Sequence, residues 1–261
     1  MFFAPMNAPV HDWHGRRIWL IGASSGIGAA LARQALAAGA RVALSARRAD
    51  ALEEVAGGHP QALVAPLDVL CPDGWHDQHA RICEAFGGVD LLLFCVAQYQ
   101  PERSWEVRED QADFTLRTNL SSVYVALATV LPGMIAAHRG GIALVASAAG
   151  YVGLPGASVY GPGKAALINL AEILYSDLHR KGIDVYLINP GFVQTKLTAK
   201  NSFAMPAIQT PEQAAREIWS GIARGLFEIH FPRRFTNWLK LLQMLPFRWR
   251  TALLQRLVGV S

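Results

Sequence analysis

Charge is sparse in this chain of 261 residues: Asp, Glu, Lys and Arg make up 17% of it, and the formal net charge is +4. A basic stripe that could follow a phosphate backbone is missing, which excludes a nucleic-acid partner. Cysteine is scarce too. Cys71, Cys83 and Cys95 are odd in number and lack paired metal-ligand spacing, so they read as buried thiols in a reducing, cytoplasmic setting. No uninterrupted apolar run approaches the ~18 residues of a membrane span. Pro5, Pro9, His11 and Asp12 interrupt the apolar start and argue against a secretory leader. His11-Asp12-Trp13-His14 and the pair His76 and His79 have no nearby set of partners, so no metal is expected and these histidines read as solvated. No low-complexity tract or Pro/Gly-rich linker divides the chain. With 52% hydrophobic residues, one large domain is the expectation.

What is present is an alternation of strand-length apolar runs with helix-length segments. The runs at 18–21, 41–46, 62–67, 91–96, 142–146, 184–188 and 227–231 are rich in leucine and β-branched residues, as strands covered on both faces require. Helices are expected over segments that include 26–38, 73–86, 111–138, 157–180 and 211–224. This rhythm predicts an α/β fold built on a mainly parallel sheet with right-handed crossovers. Ligands of such sheets bind outside the carboxyl ends of the strands.

At the end of the first run stands Gly22-Ala23-Ser24-Ser25-Gly26-Ile27-Gly28, opening into an alanine-rich helix. Glycines there permit a tight turn and let backbone N–H groups approach a pyrophosphate at the positive helix end. The spacing, Gly-x3-Gly-x-Gly, differs from the commoner dinucleotide fingerprint, and its place between strand and helix is what favours cofactor binding over an ordinary turn. An acid about twenty residues further on would select NAD through the ribose 2′-hydroxyl. The run is instead Leu44-Ser45-Ala46-Arg47-Arg48. Arg47 can pair with a 2′-phosphate through its planar fork, with Ser45 adding a hydroxyl, so NADP(H) is expected.

Tyr160 and Lys164 are four apart and share one face of a helix. Pro162 between them is tolerated if the helix starts near Ala157 or Ser158, where first-turn N–H groups lack intrahelical partners. A free tyrosine has a pKa of ~10, and a nearby lysine cation would lower it. Ser147, thirteen residues before Tyr160, is placed to hydrogen-bond the substrate oxygen while Tyr160 passes the proton. By itself a Tyr-x3-Lys pair is common on protein surfaces.

Together with the glycine loop these residues resemble the short-chain dehydrogenase/reductase family over roughly residues 16–231. The resemblance implies a Rossmann-like, doubly wound, seven-stranded parallel sheet and a catalytic set of Asn119, Ser147, Tyr160 and Lys164. It implies that Asn119 holds a water linking Lys164 to solvent, and that Lys164 also bonds the nicotinamide ribose. Asp68-Val69 matches the pair that contacts adenine. Asn189-Pro190-Gly191-Phe192-Val193-Gln194-Thr195 matches the Pro-Gly segment, placing Pro190, Gly191, Val193 and Thr195 at the nicotinamide. Two departures stand out: Ile21 replaces the usual Thr before the glycine loop, and Ala97 stands where the family has a glycine near the cofactor ribose. The family also implies a homodimer or homotetramer built on the helices around 111–138 and 157–180.

Gln98, Tyr99, Ser147, Tyr151, Phe192 and Phe203 are the expected substrate lining, beside a lid at 197–205 that is poor in charge and suits an apolar or bulky ketone or aldehyde. Beyond the domain at 16–231 and a tail at 1–15, residues 232–261 form an extension with no acid and six basic residues, namely Arg233, Arg234, Lys240, Arg248, Arg250 and Arg256. Trp238, Leu241, Leu242 and Leu245, then Leu253, Leu254 and Leu257, fall at helical spacing around Pro246. Two short basic amphipathic helices fit either docking on the domain or a second subunit, or peripheral contact with a membrane. Two other function classes remain open at this point: an NADP(H)-binding sensor and a membrane-surface scaffold without turnover. An intact Ser147, Tyr160 and Lys164 argues for the enzyme.

Overall fold

Along β1 (Arg17–Ile21) the side chains alternate between two cores: Ile18 and Leu20 enter one, Trp19 and Ile21 the other. That is the period of two that a strand imposes, and both faces are apolar because helices cover both. The computed structural model describes residues 5–200 and 205–258, with side chains described as far as residue 254. β1 lies within one parallel sheet with β2 (Arg41–Ser45), β3 (Ala62–Val64), β4 (Leu91–Phe94), β5 (Gly140–Val145), β6 (Ile183–Pro190) and β7 (Glu228–Phe231). The order is β3-β2-β1-β4-β5-β6-β7, so the Rossmann-like α/β expectation holds. The order reverses between β1 and β4, which opens a crevice at their carboxyl ends.

One face of the sheet carries α1 (Gly26–Ala37), α2 (Ala49–Ala56) and α7 (Pro211–Ala223); the other carries α3 (Pro72–Phe86), α5 (Ser122–Ala136) and α6 (Tyr160–Leu178). The helix expected over 111–138 is interrupted. α4 (Glu109–Leu116) runs into a π-turn, Arg117–Ser121, before α5 begins. The wider turn buries Thr118 and Asn119 side by side, and Ser122 Oγ donates to the Thr118 carbonyl at 2.8 Å. Such bulges recur at functional sites because they re-aim one residue without ending the helix.

Both ends are tied to the sheet. Asn7, buried, donates through Nδ2 to the Val185 carbonyl at 2.8 Å and accepts from Val185 N at 3.1 Å. Trp13 meets Trp219 edge-on at 4.6 Å, so residues 5–15 are a strap and not a loose tail. The extension forms α8 (Arg233–Gln243) and α9 (Phe247–Val258). Leu239, Leu242 and Leu254 pack on Ala148, Tyr151 and Val152, so one apolar face of these helices docks on the chain's own domain.

Two smaller expectations are corrected. Cys71 is exposed where it precedes α3, and Cys83 and Cys95 are only partly buried. His79 is half-buried, stacked on Trp19 at 5.8 Å with Nε2 3.5 Å from Cys83 Sγ, because α3 turns it toward the core.

Candidate active site

The loop after β1 is held by contacts that only glycine tolerates. Gly22 has φ +89°, and a Cβ there would lie 2.7 Å from the Cys95 carbonyl oxygen. A Cβ on Gly28 would lie 2.1 Å from the Gly22 oxygen, which is how α1 closes onto the turn. Ser25 precedes α1 without a side-chain cap, and no acid stands in the first turn. The positive helix end therefore faces the crevice uncompensated.

That crevice is a cavity of about 680 Å³, and Gly22, Ser24, Ser25, Gly26, Ile27 and Gly28 form one wall of it. Arg47 and Arg48, both exposed, stand at the end of β2; Asp68 and Val69 follow β3. Across the opening lie Ala97, Pro190, Gly191, Val193 and Thr195. Thr195 braces the Pro-Gly segment: its N–H donates to Thr198 Oγ1 at 3.0 Å, and Thr198 Oγ1 donates to the Val193 carbonyl at 2.6 Å.

Ser45 is not in this cavity. It is fully buried, its Oγ donating to the Ala65 carbonyl at 2.7 Å and accepting from Trp19 Nε1 at 2.9 Å. The pleat turns it, the last residue of β2, into the core beside Trp19, so Arg47 and Arg48 stand beyond the strand end without it.

At the other side of the crevice Tyr160 opens α6. Gly161 N–H bonds Ala157 O at 2.8 Å and Gly163 N–H bonds Val159 O at 3.2 Å, so Pro162 falls in the first turn, where its missing donor costs nothing. Ser147 lines the same cavity as Tyr160 and tempers its phenol, and Ser147 Oγ accepts from Ala149 N at 3.1 Å. Lys164, almost wholly buried, donates to the Val145 carbonyl at 2.8 Å and lies 5.6 Å from the Tyr160 ring centre. Burial dominates both groups: it pushes the Tyr160 phenol up to about 12, despite Ser147, and brings the Lys164 ammonium down to about 8. The expected lowering of Tyr160 is thus outweighed in the protein alone, since desolvation penalises the phenolate.

The Asn119 side chain ties two segments of the site together. Its Oδ1 accepts from Gln98 N at 2.6 Å and its Nδ2 donates to Gln98 O at 2.7 Å, so the π-turn clamps the loop after β4. Gln98 in turn lines the cavity, and Tyr99 meets the Tyr160 ring edge-on at 5.0 Å. Two expected substrate contacts face elsewhere. The Tyr151 hydroxyl donates to Glu228 Oε1 at 2.5 Å under α8, and the Phe192 ring packs on Phe235 at 5.4 Å. Glu228 on β7 holds the first and Phe235 on α8 packs on the second. Phe203 lies outside the described residues.

Phe114 and Thr118 line the cavity although nothing in the sequence singled them out. They lie five residues and one residue ahead of Asn119, and Thr118 is turned inward by the π-turn, which residue spacing does not announce. The buried Thr118 Oγ1 has no protein partner among the described residues. An orphaned hydroxyl, a glycine cradle and exposed arginines in one cavity fit a nicotinamide dinucleotide.

Comparison with known proteins agrees with this geometry. A family model described as short chain dehydrogenase matches residues 16–205. An uncharacterized oxidoreductase of Myxococcus xanthus is 31% identical over 235 residues, covering 88% of this chain and 93% of the relative. The 3-oxoacyl-acyl-carrier-protein reductase FabG of Escherichia coli is 30% identical over 190 residues, covering 72% of this chain and 77% of FabG. A mutant short-chain dehydrogenase/reductase of Serratia marcescens superposes with a TM-score of 0.74 at 25% identity, covering 85% of this chain and 98% of that one.

Proposed function

Because this chain belongs to the short-chain dehydrogenase/reductase family and is an oxidoreductase, we propose that it reduces an apolar or bulky ketone or aldehyde with NADPH, using Tyr160 as general acid. The observation that carries this reading is one cavity holding the glycine cradle, Arg47, Ser147, Tyr160 and Lys164 together. Arg47 and Arg48 would hold the 2′-phosphate, for which two exposed guanidinium groups and no carboxylate stand at the end of β2. The first turn of α1 would receive the pyrophosphate. Thr195 and Lys164 would orient the nicotinamide end. When bound, NADPH supplies the hydride to the carbonyl carbon.

The protein's own groups manage the oxygen. Ser147 and Tyr160 hydrogen-bond the carbonyl oxygen, and Tyr160 delivers its proton as negative charge develops there. A phenol held near 12 is protonated at neutral pH, the form a reductase needs for this step. The buried Lys164 cation stabilises the phenolate left behind. Asn119 positions the Gln98 loop against the reacting centre. The FabG relative is named for reducing a 3-oxoacyl group, a ketone on an acyl chain, which agrees with an apolar carbonyl substrate.

Replacing Tyr160 with Phe tests the assignment. Carbonyl reduction should fall by about 10²–10⁴-fold, the usual worth of a positioned acid, while NADPH affinity by fluorescence titration stays within about twofold. A variant that turns over at the parental rate would sink the enzyme reading and favour a cofactor-holding sensor.

A further inference from the structure

α8 and α9 carry apolar residues on two sides, and the domain covers only one. Leu239, Leu242 and Leu254 are buried. Leu241, Met244, Phe247, Trp249 and Leu253 stay in solvent, Met244 at 81% and Trp249 at 68% exposure. Single exposed apolar side chains are ordinary on a protein surface, but five within one helix pair make a patch that calls for a partner.

The charge carried by α8 and α9 themselves has one sign. Arg233, Arg234 and Arg248 are exposed, and the Arg250 guanidinium lies 5.4 Å from the Phe247 ring centre. The chain has no Asp or Glu after Glu228, and Glu228 is itself engaged by Lys240 on the inner side. Trp and Phe beside arginines on an otherwise apolar helix surface suit the boundary between headgroups and acyl chains, where rings sit at the interface and cations reach lipid phosphates. A second copy fits poorly. A two-fold contact would set this arginine rim against its own image.

We propose that the outer face of α8–α9 docks on an anionic lipid bilayer, with Phe247 and Trp249 inserting at the headgroup boundary and the arginines pairing with lipid phosphates. The proposal does not depend on the reaction catalysed. The inner face stays on Tyr151 and Val152, so docking requires no unfolding.

Co-sedimentation of the full chain with phosphatidylcholine vesicles, with and without phosphatidylglycerol, tests it. Binding is expected only when phosphatidylglycerol is present, and should weaken as salt rises. Phe247→Ser with Trp249→Ser, and separately Arg248→Gln with Arg250→Gln, should each lower partitioning by at least about tenfold while leaving the melting temperature in place. Equal binding to both vesicle types, or variants that partition like the parent, would overturn the proposal. So would a parent protein that stays in the supernatant, including one whose oligomer is split by Trp249→Ser in sedimentation velocity.

Discussion

Single side chains decide which cofactor and which proton this site handles. Arg47 and Ser45 are neighbours in the chain, yet one is exposed at the cavity and the other sealed between Trp19 and Ala65. Their alanine variants should separate cleanly. Arg47→Ala should raise the KM for NADPH by about 10–100-fold with little effect on NADH, the range expected for losing a charge-assisted bond. Ser45→Ala should leave cofactor preference alone and cost about 1–3 kcal/mol in denaturant unfolding, because it orphans the Trp19 N–H and the Ala65 carbonyl. Lys164 sets a pH limit. With its pKa brought down to about 8 by burial, it is charged below that pH and neutral above it, while Tyr160 near 12 stays protonated throughout. The kcat/KM for reduction should therefore decline as pH rises through about 8. A profile flat to pH 10 would show that the Lys164 charge does not serve the step.

At the level of elements, the π-turn Arg117–Ser121 does what a continuous helix could not. It buries Asn119 and spends both ends of its amide on the Gln98 backbone, joining the α4–α5 segment to the loop after β4. Asn119→Ala should release that loop, lowering kcat by about 10²-fold, as small misplacements at reacting centres do, with a smaller change in the KM for NADPH. Unchanged kcat in a stably folded variant would count against this clamp. The hydrophobic pattern of 111–138 marked a helix correctly. It held no sign of the extra residue in the turn. α2, by contrast, has a clear stripe in Ala51, Leu52, Val55 and Ala56, closed by Gly57 at φ +55°.

Across the whole molecule, α8 is fastened to the domain through Glu228. Burial alone would raise that carboxyl, but Lys240, the Tyr151 hydroxyl and Asn189 Nδ2 together hold it below the ordinary 4.5. A carboxylate lowered on folding contributes stability above its unfolded pKa and loses it as pH falls through the folded value. Lys240→Met should then reduce stability by about 1–3 kcal/mol near neutrality, since Glu228 is left part-buried without its cation. The gap between parent and variant melting temperatures should close as pH drops below about 4.5. A gap independent of pH would show that Lys240 acts only through the packing of its methylenes.

The order of the glycine loop, Arg47, Asp68, Asn119, Ser147, Tyr160 and Lys164 is written in the residues themselves. So is the alternation that makes the parallel sheet, because periodicity, turn chemistry and side-chain type act over a few residues. Other properties rest on neighbours far apart in the chain. Tyr151 is drawn from the substrate side by Glu228, 77 residues away, and Ser45 is enclosed by Trp19 and Ala65. Burial of Tyr160 and Lys164, and with it their proton affinities, exists only once the strands and helices have closed around them. The same holds for the extension: its basic amphipathic pattern left docking and membrane contact as rivals. The tertiary structure gave one face to the domain and left the other outside, because Leu239, Leu242 and Leu254, with Phe235 and Leu245 beside them, find a complementary apolar surface.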